Sequence, residues 1–201
     1  VLNNVAPADI GPLDEESRLL AINLAANLGL ATHLNLNIIP STAISSPETV
    51  PSILSSAAAH GIQPEQIVLE VLESEMIEDF DLFTGAIREH RDSGIRFAID
   101  DFGAGYAGLN LLAEFQPHLI KLDMHLVRDI HAKGPRQAIV RGLLSTCRDL
   151  GIDVIAEGIE TEEEFFWLRQ EGIDLFQGYL LAKPAFEQLA AEFHLPEPFP
   201  V

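Results

Sequence analysis

The chain has a single cysteine, Cys147, among its 201 residues. One thiol excludes an internal disulfide and any cysteine-based zinc site, as suits a reducing compartment. Basic residues are scarce: 12 Lys and Arg stand against 31 Asp and Glu, a net charge of −19. They are also dispersed, which argues against duplex nucleic acid and anionic membrane surfaces as partners. A small anionic ligand would need metal ions beside it. No apolar run approaches the ~20 residues of a membrane span, and no basic-then-apolar leader opens the chain, so we expect a cytoplasmic protein with no membrane span. The histidines have no H-x-H or H-x-x-x-H spacing, which leaves a histidine metal site without support. Hydrophobic residues, at 47%, are plentiful enough for a substantial core.

The apolar residues fall into two alternating patterns. Short runs at His33 to Ile39, Gln66 to Val71, Ile95 to Ile99, His118 to Leu122, Ile152 to Ala156 and Asp174 to Phe176 predict strands. Between them, helical spacing relates Phe80, Phe83 and Ile87, and again Ala138, Ile139, Leu143, Leu144 and Leu150. A helix over about Glu15 to Leu28 precedes the series. Gly61, Gly94, Gly151 and Gly172 stand where helix-ending glycines belong. Such βα repeats specify parallel strands with helical crossovers.

Most of these strands end in a residue that an apolar run should not contain: Asn37, Glu70, Asp100 with Asp101, Lys121, Glu157 and Gln177. In a (β/α)8 barrel all strand C-termini meet on one face, where catalytic groups collect. That convergence favours a TIM-barrel-like α/β fold over an open sheet. Six strands are two fewer than the barrel needs, so two N-terminal strands are expected ahead of Val1. The expected organisation is one domain over residues 1–194, N-terminally incomplete, and a Pro-rich tail over 195–201.

The stretch IDDFGAGYAGLN, Ile99 to Asn110, contains G-x-G-x-x-G after a strand, and Asp123 ends the next apolar run about 20 residues on, as in a dinucleotide-binding loop. Asp100 and Asp101 oppose that reading, because a pyrophosphate beside two carboxylates needs a cation between them. Taken singly, each strand-end acid is more often a cap or turn former. Their co-occurrence is what argues for a site. The oxygen donors Asn37, Glu70, Asp100, Asp101 and Glu157 suit two hard cations, magnesium or manganese. Adjacent strand residues point to opposite faces, so Asp101 is expected to turn inward where the chain leaves the sheet.

LEVLE (Leu69 to Glu73), DDFGAGYAGL (Asp100 to Leu109), IKLD (Ile120 to Asp123), AEGIET (Ala156 to Thr161) and FQGYLLAKP (Phe176 to Pro184) resemble, in order and spacing, the EAL domain of bacterial cyclic di-GMP phosphodiesterases. The resemblance implies a barrel-like fold, two Mg2+ or Mn2+ ions, and two-metal-ion hydrolysis of cyclic di-GMP to linear pGpG in second-messenger signalling. It implies Asn37, Glu70 and Asp100 as ligands of one ion, and Asp100, Asp101 and Glu157 as ligands of the other. Lys121 would hold the attacking water, Glu157 would also act as base, and Gln177 would line the site. Glu73 would anchor the loop after Asp101, supported by Glu160. A homodimer and an attached sensor domain outside this chain are further implications.

Two departures stand out. The loop reads GAGYAGL where GTGYSSL is commoner, so Ala104 and Ala107 remove two hydroxyls, a variant similar to EAL domains attached to blue-light flavin sensors. The Glu-Ala-Leu motif and its following arginine are absent and are expected on a strand before Val1. One alternative is a catalytically silent EAL domain that binds cyclic di-GMP or a protein partner as an effector. A nicotinamide-dependent dehydrogenase is the other; its cofactor binding would survive chelation.

Overall fold

The computed structural model describes residues 6–75, 80–105, 108–190 and 192–196. Glu78, Asp79, Ala107 and most of the Pro-rich tail lie outside them. The described residues contain helices α1 (Pro7–Asn27), α2 (Pro40–Ser45), α3 (Thr49–Ala59), α4 (Phe80–Arg88), α5 (Gly108–Phe115), α6 (Met124–Val127), α7 (Gly134–Leu150) and α8 (Glu162–Gln170). The strands are β1 (Leu34–Asn37), β2 (Ile67–Leu72), β3 (Arg96–Phe102), β4 (Leu119–Leu122), β5 (Asp153–Ala156) and β6 (Leu175–Phe176), in sheet order β1-β2-β3-β4-β5-β6. Pairing is parallel between β1 and β2 and along the series β3, β4, β5, β6. All six predicted strands are present, and the four predicted helix-ending glycines all have positive φ. The fold is α/β and parallel, as the repeat pattern requires.

The chain forms two compact units, residues 1–71 with 75–97, and residues 72–74 with 98–201. In the first, β2 buries Ile67, Val68, Leu69 and Val71 almost completely, and Ile22, Ile53, Ala57, Phe83 and Ile87 share that core. A continuous apolar run is what a parallel strand covered on both faces requires. Helix α1 starts at Pro7, eight residues before the predicted Glu15. Pro7 fits the first helical turn, where an amide has no partner in any case, and Pro12 forfeits only one further bond. The buried Arg18 of α1 pairs with Asp14 one turn earlier and also reaches the carbonyl of Asn37 at 3.4 Å, tying the helix to the end of β1.

In the second unit β4 is buried along its whole length, Lys121 included. Helix α7 packs through Val140, Leu143, Leu144 and Cys147, an i, i+3, i+4, i+7 stripe. Ile139 and Leu150, which the spacing also placed on that face, are 57% and 44% exposed. Each lies outside the stripe that meets the core; Ile139, with Leu109 and Leu126, lines a cavity of about 670 Å³. Cys147 is 1% exposed, and burial pushes its thiol up to about 11, which keeps it protonated and inert at neutral pH.

Candidate functional site

Strand β3 carries the paired aspartates, and its pairing with β4 is irregular where they occur. Ile99 stands opposite Ile120 and Phe102 opposite Leu122, so β3 has one residue more than β4 over this interval. That is a β-bulge, and Asp101 occupies it with φ +53°. Aspartate tolerates this left-handed conformation better than most residues. Strand alternation predicts that Asp101 turns inward where the chain leaves the sheet. Instead β3 continues through Phe102, and the bulge inside the strand cancels the usual alternation.

The result is a cluster in the second unit. Ligand oxygens of Asp100, Asp101 and Glu157 all lie within 4.8 Å of one another. The Lys121 ammonium is 3.0 Å from Asp100 Oδ1 and 2.8 Å from Glu157 Oε1. Burial pushes the Glu157 carboxyl up to about 7; Lys121 opposes the shift and Asp100 reinforces it. Asp101 is also raised, first by desolvation and then by the like charges of Asp100 and Asp123, against Lys121 and His125. Glu157 and Asp101, which desolvation and the Asp100 charge make harder to ionise, converge with Asp100 in a set whose charge a divalent cation would offset. All their donors are oxygens, so the residues fit magnesium or manganese.

Glu157 owes its position to three backbone ties. Its amide donates to Leu122 O at 3.2 Å, Ile159 N donates to Gln177 O at 3.1 Å, and Leu180 N donates to Ile159 O at 3.0 Å. Gly178 permits the last two: a Cβ there would sit 2.1 Å from Ile159 O and 2.3 Å from Ile159 N. Gly178→Ala is therefore expected to cost ~3 kcal/mol, the scale of severe overpacking. A urea-denaturation midpoint equal to the parent's would show that the two segments separate freely. Gln177 itself is exposed and meets this loop through its backbone.

Glu73 is 1% exposed, and its Oε2 accepts hydrogen bonds from Gly103 N at 2.8 Å and Gly105 N at 3.2 Å. Amides that would cradle a pyrophosphate in a dinucleotide loop are thus held by the protein's own carboxylate. The geometry leaves the Rossmann reading without its phosphate site. Gly105 also allows the close approach, since a Cβ there would lie 2.9 Å from Glu73 Oε1. Glu160 pairs with Arg128 at 2.7 Å and so is engaged outside the carboxylate trio.

In the first unit, Glu70 is 5% exposed and accepts a hydrogen bond from Asn35 Nδ2 at 2.7 Å. Asn37 is exposed at the end of β1, opposite Glu70 in the register. Asn35, not Asn37, makes that contact, and the sequence reading missed it. Period-two alternation puts both on one face of β1, a signal that could have flagged Asn35. Of the expected ligands, Asn37 and Glu70 belong to the first unit, and Asp100, Asp101 and Glu157 to the second.

The EAL domain model matches residues 13–184. The blue light- and temperature-regulated antirepressor BluF of Escherichia coli K12 is 43% identical over 176 residues, covering 87% of this chain and 44% of that protein. The cyclic di-GMP phosphodiesterase PdeR of the same organism is 40% identical over 126 residues, covering 61% of this chain and 19% of PdeR. The crystallised manganese and cyclic di-GMP complex of Klebsiella pneumoniae BlrP1 superposes with a TM-score of 0.89 at 44% identity, over 94% of this chain and 48% of BlrP1. The chain thus spans less than half the length of each. Motifs, fold and these matches agree: the chain belongs to the EAL domain family.

Proposed function

We propose that this chain is a divalent-metal-dependent phosphodiesterase domain that hydrolyses cyclic di-GMP to linear pGpG. The convergence of Asp100, Asp101 and Glu157 about the Lys121 ammonium carries the reading. PdeR, a relative, is a cyclic di-GMP phosphodiesterase, and BlrP1 binds that nucleotide with manganese. Asp100, Asp101 and Glu157 would hold a magnesium or manganese ion, and Asn37 and Glu70 keep the role of ligands to a further ion that the resemblance implies. The ions, when bound, supply Lewis-acid stabilisation of charge on the phosphoryl oxygens.

The residues' own work is positional. Lys121, held between Asp100 and Glu157, orients a water at the phosphorus. Glu157 takes that water's proton as the new P–O bond forms. The bond to the ribose 3′-oxygen breaks, and the leaving oxygen takes a proton from solvent, giving a 5′-phosphate and a free 3′-hydroxyl. Glu73 holds the Gly103 to Gly105 loop beside the paired aspartates. Gln177 and Glu160 support this face.

No helix among the described residues is long and apolar enough to cross a membrane, and a dissolved second messenger fits a cytoplasmic site of action. The reading extends to a homodimer and to a sensory module outside this chain; the second finds support in BluF, which is blue light-regulated. Purified protein incubated with cyclic di-GMP and Mn2+ should yield pGpG, resolved by liquid chromatography, and a chelator should abolish it. Persistence of activity after chelation would defeat the metal role.

BluF, an antirepressor, favours a second reading in which this domain signals by binding a protein. The two differ in one observable. A silent effector binds cyclic di-GMP and leaves it intact in the presence of metal.

A further inference from the structure

Glu164 lies in the first turn of α8, on the segment after β5, and has 0% exposure. A carboxylate wholly removed from water must be heavily compensated. Here Oε2 accepts from Glu160 N at 3.0 Å and Thr161 N at 3.2 Å, while Oε1 accepts from Asp129 N at 2.9 Å. Arg128 approaches Oε1 at 3.7 Å and pairs with Glu160 through its other terminal nitrogen. Asp129 has φ +56°, a left-handed residue whose amide is aimed at the carboxylate.

A helix cap accounts for half of this. Thr161 and Glu164 form a reciprocal capping box, which needs only the Oε2 contacts. The Oε1 contact serves no helix end of α8. It joins a second segment: Asp129 follows β4, the strand that carries Lys121, and Glu160 follows β5, three residues after Glu157. One buried carboxylate therefore ties the chain downstream of Lys121 to the chain downstream of Glu157.

We infer that Glu164 is a positioning residue that sets the spacing between Lys121 and Glu157, and through it the affinity of the carboxylate cluster for its cation. The inference rests on the metal role proposed above for Asp100, Asp101 and Glu157. Glu164 touches neither the cation nor the substrate and acts only through the two segments it joins.

The test is Mn2+ titration followed by electron paramagnetic resonance, with steady-state kinetics on cyclic di-GMP alongside. Glu164→Ala should weaken Mn2+ binding ~10- to 100-fold, the range for residues that orient metal ligands. The turnover number should fall in step, with KM for the nucleotide moving far less. Glu164→Gln, which keeps one acceptor oxygen for the Glu160 and Thr161 amides, should lie between Ala and the parent. Circular dichroism establishes that each variant is folded at the assay temperature. A purely structural role would lower the melting temperature and leave Mn2+ affinity per folded molecule unchanged. Parent-like affinity in either folded variant overturns the inference, and the Gln variant decides alone if Ala does not fold. A parent protein that binds no Mn2+ overturns the metal reading and this inference with it.

Discussion

Replacing Asp101 with asparagine is expected to cut hydrolysis of cyclic di-GMP by at least ~100-fold, the scale on which removal of one charge-stabilising group acts. The fold should be unaffected. Asp101 sits in the β3 bulge with φ +53°, and asparagine tolerates that conformation as well as aspartate does. The side chain keeps its shape and loses its charge. Asp101 also contributes one of the three carboxylates that lie within 4.8 Å of one another, so its loss removes a third of that cluster's anionic ligands. Mn2+ affinity should fall along with activity. An Asp101→Asn protein within a few-fold of the parent in rate, with Mn2+ still bound, would mean that Asp101 is no ligand.

Glu73→Ala should be comparably inactive for a different reason. Two loop amides, Gly103 N and Gly105 N, depend on Glu73 Oε2, and an orphaned buried amide costs ~1–3 kcal/mol. The loop should leave its place beside the paired aspartates, and hydrogen exchange at Gly103 and Gly105 should accelerate. Glu73→Gln, whose amide oxygen can still accept both bonds, should recover part of the activity. High manganese should rescue neither variant. Rescue of Glu73→Ala by metal would make Glu73 a ligand and overturn its role as an anchor.

These expectations draw unequally on sequence and structure. Asp100, Asp101, Lys121 and Glu157 were legible because a polar residue at the end of an apolar strand is conspicuous, and parallel βα repeats send such ends to one side. Glu73 was legible only through the family resemblance. Asn35 and Glu164 were not read at all. Asn35 sits inside the strand pattern like its neighbour Asn37, and its contact with Glu70 spans 35 residues. Glu164 is one of three consecutive glutamates, Glu162 to Glu164, that look alike as a solvated helix start. Only the capping-box spacing from Thr161 marks the third, and nothing local indicates that it is buried.

The amino-acid sequence by itself determined the order of strands and helices, their parallel sense, the glycines that end helices and the oxygen-donor chemistry of the site. Each follows from local periodicity, backbone freedom or the charge of a side chain. Tertiary structure alone decided how two adjacent aspartates serve one cluster, because a bulge is defined by the register between β3 and β4 and not by either strand. It also decided that the Gly103 and Gly105 amides of the glycine-rich loop are held by Glu73, and that Glu164 is buried with two chain segments on its oxygens. Hydrogen bonds between residues 30 or more positions apart leave no period in the sequence, and the burial that strengthens them is a property of the packed chain.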